Sequence, residues 1–283
     1  MGIRAESGTQ IPTPQMSYFE EHGLMAIREH SQYILRNTIR AGCIHESWLF
    51  FNEMAKGAGS EEVRHALVDG KLLGKYAYST RTALWKIFRT RYLNISDPWV
   101  LSELISASRH GPESPEFVSL LYLYFVLRDK LAFDFVVDVI WEKWLNHDLA
   151  IGSGDCSRFY SRLSEENDSL RKITAESKGK LIRNTVSTLK NFGLVTRERH
   201  RSISRPAVAL RTAFHLVRLL KLEGLSGKGV VDARDWRLFL WDKSDISRSL
   251  NRLAQEQWIR YEGSGQVIIL ELIENEARIE PHD

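Results

Sequence analysis

The chain has 283 residues, 43% of them hydrophobic and 27% charged, and Lys plus Arg exceed Asp plus Glu by only three. That is the composition of an ordinary soluble globular protein with room for two or three modest domains. Cys43 and Cys156 lie far apart and form no CxxC pair, which excludes a disulfide framework and points to a reducing cytoplasm.

The first residues are polar and lack the apolar core of a signal peptide, so residues 1–17 are expected to form a disordered leader. Residues 44–56 carry Trp48, Phe51, Met54 and Ala55 at helical spacing, and Gly57 and Gly59 stop the run. Ser60-Glu61-Glu62 opens the next helix with acids in its first turn. Gly70 and Gly74 break the chain, and Ser79-Thr80 can cap a helix over 80–92 with Leu84, Ile87, Phe88 and Tyr92 inward. Asp97-Pro98 starts another helix, and His110-Gly111-Pro112 reads as a turn.

Residues 114–146 are the most apolar region. Eleven largely apolar residues, Phe117 to Leu127, precede Arg128-Asp129-Lys130, and the apolar pattern then resumes to Trp144. A spanning helix needs about 20 apolar residues, and a central Arg-Asp-Lys would be costly in lipid. Two buried core helices are therefore expected, with no membrane contact. Gly152-Ser153-Gly154 reads as a flexible break between an N-terminal helical domain, 18–150, and a C-terminal region, 155–283.

Beyond the break, Cys156 to Leu163 is a short helix. Thr174 caps a longer one with Leu181, Ile182, Thr185, Val186, Leu189 and Phe192 inward, ended by Gly193. A helix over 207–222 follows, with Val208, Phe214, Val217, Leu220 and Leu222 inward. The last fifty residues give a short helix over Asp232–Trp241, a second over Asp245–Gln257, a strand at Trp258–Tyr261, a turn at Gly263-Ser264-Gly265 and a return strand to Leu272. That order is the outline of a winged helix-turn-helix over about 232–273. The expected fold is mainly α, with helix-turn-helix-like units in both halves and one short β-hairpin.

Charge is unevenly spread. Residues 171–218 hold twelve Lys or Arg and only two acids, Glu176 and Glu198, so the rest of the chain is net negative. Such segregation is the footprint of a polyanion-binding surface. Lys178, Lys180, Arg183 and Lys190 share the capped helix with Ser177, Asn184, Ser187 and Thr188, residue types that contact phosphates and base edges. Arg197, Arg199, His200, Arg201 and Arg205 follow in a loop. A solvated helix face would explain the charge too, but ordinary surface helices mix both signs.

A second acid-free stretch, 71–91, holds Lys71, Lys75, Arg81, Lys86, Arg89 and Arg91 and repeats this signal, with Arg81, Lys86 and Arg89 as candidate DNA contacts; pairing of Arg89 and Arg91 with acids on a neighbouring helix is the alternative. In the C-terminal unit, Ser247, Arg248, Ser249 and Arg252 would face outward, with Lys243 before them and Arg260 on the wing. Asp242, Asp245 and Glu256 dilute that charge, and winged helices also serve as protein-interaction modules. No P-loop, GxGxxG, HExxH or GxSxG occurs, and the nine His lack metal-ligand spacing, so neither a catalytic residue nor a cofactor or metal is expected. Asp168 upstream of Glu176-x-Lys178 is a nuclease-like fragment, but it falls on a capped helix, not a sheet edge.

The stretches Tyr78-Ser79-Thr80-Arg81, Phe133–Trp144 and Ile173-Thr174 through Lys180-Leu181 to Phe192-Gly193-Leu194 give the chain a likeness. From about Tyr33 to Leu272 it resembles the BrxA family of BREX phage-defence systems, long labelled inner-membrane proteins. The resemblance implies a non-enzymatic, mostly helical, double-stranded-DNA-binding protein. It implies helix-turn-helix-like domains at both ends and partners among a methyltransferase, an ATPase and a phosphatase-like protein. The membrane label disagrees with the reading of 117–144 above. A protein-interaction scaffold in the same complex and an RNA-binding helical module are the rival readings.

Overall fold

The structure, a computed structural model, describes Ile27, Arg28, Tyr33, residues 42–198, 200–264 and 267–273. The leader expected over 1–17 and Arg199 lie outside the described residues. The chain order is α1 (Ile44–Ala55), α2 (Ser60–Val68), α3 (Tyr78–Phe88) with a π-helical end (Arg89–Leu93), α4 (Pro98–Ser108) and α5 (Pro115–Arg128). Next come α6 (Lys130–Asp134), a π-helical stretch (Phe135–Ile140), α7 (Trp141–Leu145), α8 (Ser153–Glu166), α9 (Asp168–Arg171) and α10 (Ala175–Asn191). The rest is α11 (Leu210–Leu222), α12 (Lys228–Val231), a 3₁₀ turn (Arg234–Phe239), α13 (Lys243–Gln255) and the antiparallel hairpin β1 (Ile259–Ser264) and β2 (Val267–Leu272). The mainly helical class with one C-terminal hairpin is as the sequence predicts.

The centre is α5. Ser114 caps it by accepting from the Phe117 N–H at 3.2 Å, Pro115 occupies the first turn, and every residue from Ser119 to Arg128 is buried. A helix apolar on all sides must be enclosed on all sides. The helix stops at Asp129, whose backbone leaves the helical region (φ −123°, ψ 88°) and whose carboxylate caps α6 by accepting from the Ala132 N–H at 3.0 Å. The Arg-Asp-Lys interruption is thus a cap between two core helices. Burial pushes the Asp129 carboxyl up to about 6, against the pull of the Ala132 N–H and of the Arg91 charge. Among the described residues no helix is long and apolar enough to cross a membrane.

Both halves of the chain pack on α5. Phe51 meets Phe117 edge-on at 6.2 Å from the N-terminal side, and Phe192 stacks on Phe125 at 5.5 Å from the C-terminal side. Ser119 hydrogen-bonds Thr212 at 2.7 Å, and the Tyr122 hydroxyl donates to the Leu238 carbonyl at 3.0 Å. In the tautomer with Nε2 protonated, His215 donates to Glu103 at 3.1 Å and its Nδ1 accepts from the Tyr124 hydroxyl at 2.5 Å. Arg211 adds a bidentate pair to Glu103. Trp99 stacks on His215 with centroids 3.9 Å apart. This network fixes α11 against α4 and α5.

Four local expectations are corrected. Ser79 and Thr80 do not cap α3: extended Ala77 precedes the helix, which starts at Tyr78. The flexible break at 152–154 is a helix start, because extended Gly152 donates its N–H to the Asp155 carboxylate at 2.8 Å and α8 begins at Ser153. Buried apolar residues on both sides of it belong to one cluster. Leu222 is exposed, since it sits at the last turn of α11 on the side away from Leu216 and Leu220. The predicted helix over 232–241 is a 3₁₀ turn that ends at Leu240 in the left-handed region (φ 56°).

The Glu103–His215 network predicts acid lability. Burial lowers the His215 pKa to about 4 despite its bond to Glu103, so the unfolded chain takes up this proton first and stability falls as pH drops from about 6.5 to 4. Burial works to raise Glu103, but Arg211 and His215 hold it down at about 2, so its contribution is lost at lower pH still. The thermal midpoint is therefore expected to fall steadily between pH 7 and 4. Glu103→Gln should cost about 2–4 kcal/mol in urea unfolding at pH 7.

Candidate nucleic-acid interface

The basic helix α10 is built as the sequence predicts. The Thr174 hydroxyl accepts from the Ser177 N–H at 3.2 Å, and Leu181, Thr185, Val186, Thr188 and Leu189 are buried. The Tyr160 hydroxyl of α8 meets Thr185 Oγ1 at 2.5 Å, locking α10 onto α8. Helical periodicity puts Lys180, Arg183, Ser187 and Lys190 on the opposite stripe. Lys178 is different. It shares the face of Leu181, Thr185 and Leu189, is half-buried, and donates to Ser161 Oγ at 2.9 Å.

The loop after α10 is an ordered ladder. Val195 bridges Ile203 and Ala150 bridges Ser202, both antiparallel. The Thr196 N–H donates to the Ser202 carbonyl at 2.9 Å, and the Ile203 N–H to the Leu149 carbonyl at 2.7 Å. Arg197, His200 and Arg201 are exposed around its tip, and Arg199 falls at the same tip in sequence. The segment from Leu149 to Ser204 therefore runs as a helix, a short helix, a long basic helix and an antiparallel loop. The segment from α11 to β2 repeats that order. The long helix and hairpin of the second are as the sequence predicts, whereas the antiparallel pairing in the first is not. The clue was the β-branched pair Val195 and Ile203 on either side of the arginines.

The cations of residues 171–218 divide into two sets. Lys180 pairs with Glu176 at 2.9 Å and Arg171 with Asp168 at 2.9 Å. Arg205 binds Asp245 and, at 3.0 Å, the Leu240 carbonyl. Arg211 and Arg218 bind Glu103 and Asp97, each at 2.5 Å. Lys172, Arg183, Lys190, Arg197 and Arg201 form no ion pair among the described residues, and all except half-buried Lys190 are exposed. No acid among the described residues lies within ion-pair distance of these side chains. Asp168, Glu176 and Lys178 are engaged with Arg171, Lys180 and Ser161, so they do not converge on a metal position.

In the N-terminal half, Lys71, Lys75, Lys86 and Arg89 are exposed. Arg81 is turned inward, with Nε donating to the Val68 carbonyl at 2.9 Å and Nη1 to the Tyr76 carbonyl, so it clamps the loop between α2 and α3. Arg91 is buried with its guanidinium 4.7 Å over the Phe125 ring. In the C-terminal unit Lys243 lies 3.7 Å from Asp232 and Arg248 3.2 Å from Asp245, while Arg252 is exposed. Ser249, expected on the outer face, is buried, and Ser247 is half-buried.

A mainly helical core carrying one basic helix-and-loop unit defines the class of protein. The sequence profile of the BrxA family matches residues 31–219, about two thirds of the chain, and the chain belongs to that family. BrxA proteins are components of BREX phage defence, and theirs is not a known enzyme family. A crystal structure of an uncharacterized protein from Magnetospirillum magneticum has the same fold. Its TM-score is 0.56 over 75% of this chain and 100% of that one, at 12% identity. No curated protein matches the chain.

The two kinds of arginine should separate on mutation. Arg81→Ala, which leaves two backbone carbonyls without their donor, is expected to cost about 1–3 kcal/mol in chemical denaturation. Arg183→Ala, on the open stripe of α10, should stay within about 0.5 kcal/mol of wild type.

Proposed function

We propose that the chain is a non-enzymatic, double-stranded-DNA-binding component of its BREX system. The contact surface would be the open stripe of α10 and the arginine loop after it. The observation that carries this reading is the cluster of cations without an ion pair, Lys172, Arg183, Lys190, Arg197 and Arg201, within a stretch that holds twelve Lys or Arg against two acids. The order α8, α9, α10 and antiparallel loop has the outline of a winged helix-turn-helix, in which the third helix enters the major groove and the wing meets the backbone. Residues 175–204 hold seven Lys or Arg against two acids. Affinity would come mainly from phosphate contacts, and Asn184 and Ser187 would supply modest base readout.

Lys71, Lys75, Lys86 and Arg89 would form a second, weaker contact. Arg81 and Lys178 are assigned to the scaffold, since their donors are already used within the protein. Lys243, Arg248 and Arg252 are left outside the DNA surface, because residues 242–273 hold four Lys or Arg against five acids. Family membership suggests other BREX components as partners.

Electrophoretic shift of a 30-base-pair duplex tests the proposal. About five phosphate contacts predict a log–log salt slope of about −4 to −5, with the slope reduced by about one for each neutralised contact. Arg183→Glu combined with Arg201→Glu should weaken binding at least ten-fold. Salt-insensitive binding, or a double variant that shifts like wild type, would refute this surface. Preference for structured RNA in competition would favour the RNA-binding reading.

A further inference from the structure

The C-terminal hairpin has a chemistry that the DNA reading does not use. Side chains alternate along β2: Leu270 is buried and Ile268 and Leu272 half-buried, while Val267, Ile269 and Ile273 are 66%, 37% and 40% exposed. These three account for half of the large exposed apolar side chains among the described residues. The strand register brings Arg260 opposite Glu271 and Glu262 opposite Ile269 on the same outward face. Arg260 lies 2.9 Å from Glu262 and 3.5 Å from Glu271, so the one cation of this face is held between two carboxylates. The face is apolar with a net acidic border.

The surroundings leave this face open but closed to alternatives. At Gly227, in the left-handed region (φ 42°), the backbone comes so close to the Ile268 carbonyl that a Cβ would collide with it. That contact covers the edge of β2 at Ile268. The residues after Ile273 contain four acids and one arginine, a poor match for a face bordered by Glu262 and Glu271. Phosphates are repelled for the same reason. The module is also held rigidly, because Arg28 bridges Glu223 at 2.7 Å and Asp235 at 2.5 Å. Exposed apolar side chains with a polar rim mark protein interaction surfaces, and the profile match of the family ends at residue 219, before this hairpin.

We infer that the outward face of the β1–β2 hairpin docks a partner protein through a segment that is apolar and basic, laid against Val267, Ile269 and Ile273 with the carboxylates of Glu262 and Glu271 at its border. This surface is separate from the DNA surface, so the chain would hold duplex and protein at the same time.

The test uses the full-length chain with the other protein components of its BREX system, co-expressed, nuclease-treated and then reconstituted pairwise. Wild type is expected to hold one component by a basic segment. Val267→Asp with Ile269→Asp should lower that affinity at least ten-fold, and Glu262→Lys with Glu271→Lys at least three-fold. Both variants should keep the wild-type melting temperature and the wild-type duplex shift. The inference is overturned by a complex that survives both double variants, or by the absence of any pairwise complex. It is equally overturned if the hairpin variants lose DNA binding, which would make the hairpin a DNA wing. Self-association of the purified chain that the apolar variant abolishes, seen in sedimentation velocity, would assign the face to a second copy and overturn it too.

Discussion

The complete burial of α5 is the constraint from which the rest follows. A helix with Leu, Tyr, Phe and Val on every side cannot rest on one layer, so helices from before and after it in sequence must close around it. α1 reaches it through Phe51, Phe192 at the end of α10 stacks on it, and α11 grips it through Thr212 and His215. The three hydroxyls that α5 carries inward, on Ser119, Tyr122 and Tyr124, all find partners in the C-terminal half. The basic helix is therefore fixed to the same core as the N-terminal helices. Its cations stand on a rigid mount.

That mount sorts the charge. Arg205, Arg211 and Arg218 belong to the basic stretch by sequence, yet each reaches an acid on a distant element; Arg211 and Arg218 bind the halves together, and Arg205 ties the basic unit to α13. Charge segregated along the chain is in this way partly neutralised in space. What remains open is narrower: one stripe of α10, Lys172 and the tip of the 195–203 ladder. The unit that follows has the same element order, but its residues 242–273 hold four Lys or Arg against five acids. Its helix pairs Lys243 with Asp232 and Arg248 with Asp245 and leaves Arg252 exposed, and its hairpin shows valine, isoleucine and glutamate to solvent. One backbone outline used twice thus presents two different chemistries.

Much of this was legible in the sequence because local periodicity governs it. The Thr174 cap, the Phe192-Gly193 stop, the Asp97-Pro98 start and the C-terminal hairpin all follow from nearest-neighbour chemistry, although Gly263 and Ser264, expected in the turn, pair with Ile268 and Val267 inside β1. Lys178 could have been set apart from Lys180, Arg183 and Lys190 by the same logic, since 178, 181, 185 and 189 share one helical face. The fates of Arg81 and Arg205 were not legible. Arg81 turns to carbonyls freed by a loop whose path depends on Gly70, and Arg205 meets an acid forty residues away. The ladder of 194–203 was hidden for a related reason, as its third segment, 149–151, lies on the far side of α8, α9 and α10 in sequence.

The central claim is that unpaired charge on α10 and its following loop, and not the C-terminal hairpin, meets DNA. Hydrogen exchange of the full chain with and without a saturating duplex, followed peptide by peptide, tests it most directly. The account predicts slowed exchange within 175–204 and unchanged exchange within 259–272. Protection of the hairpin with no change across 175–204 would contradict it.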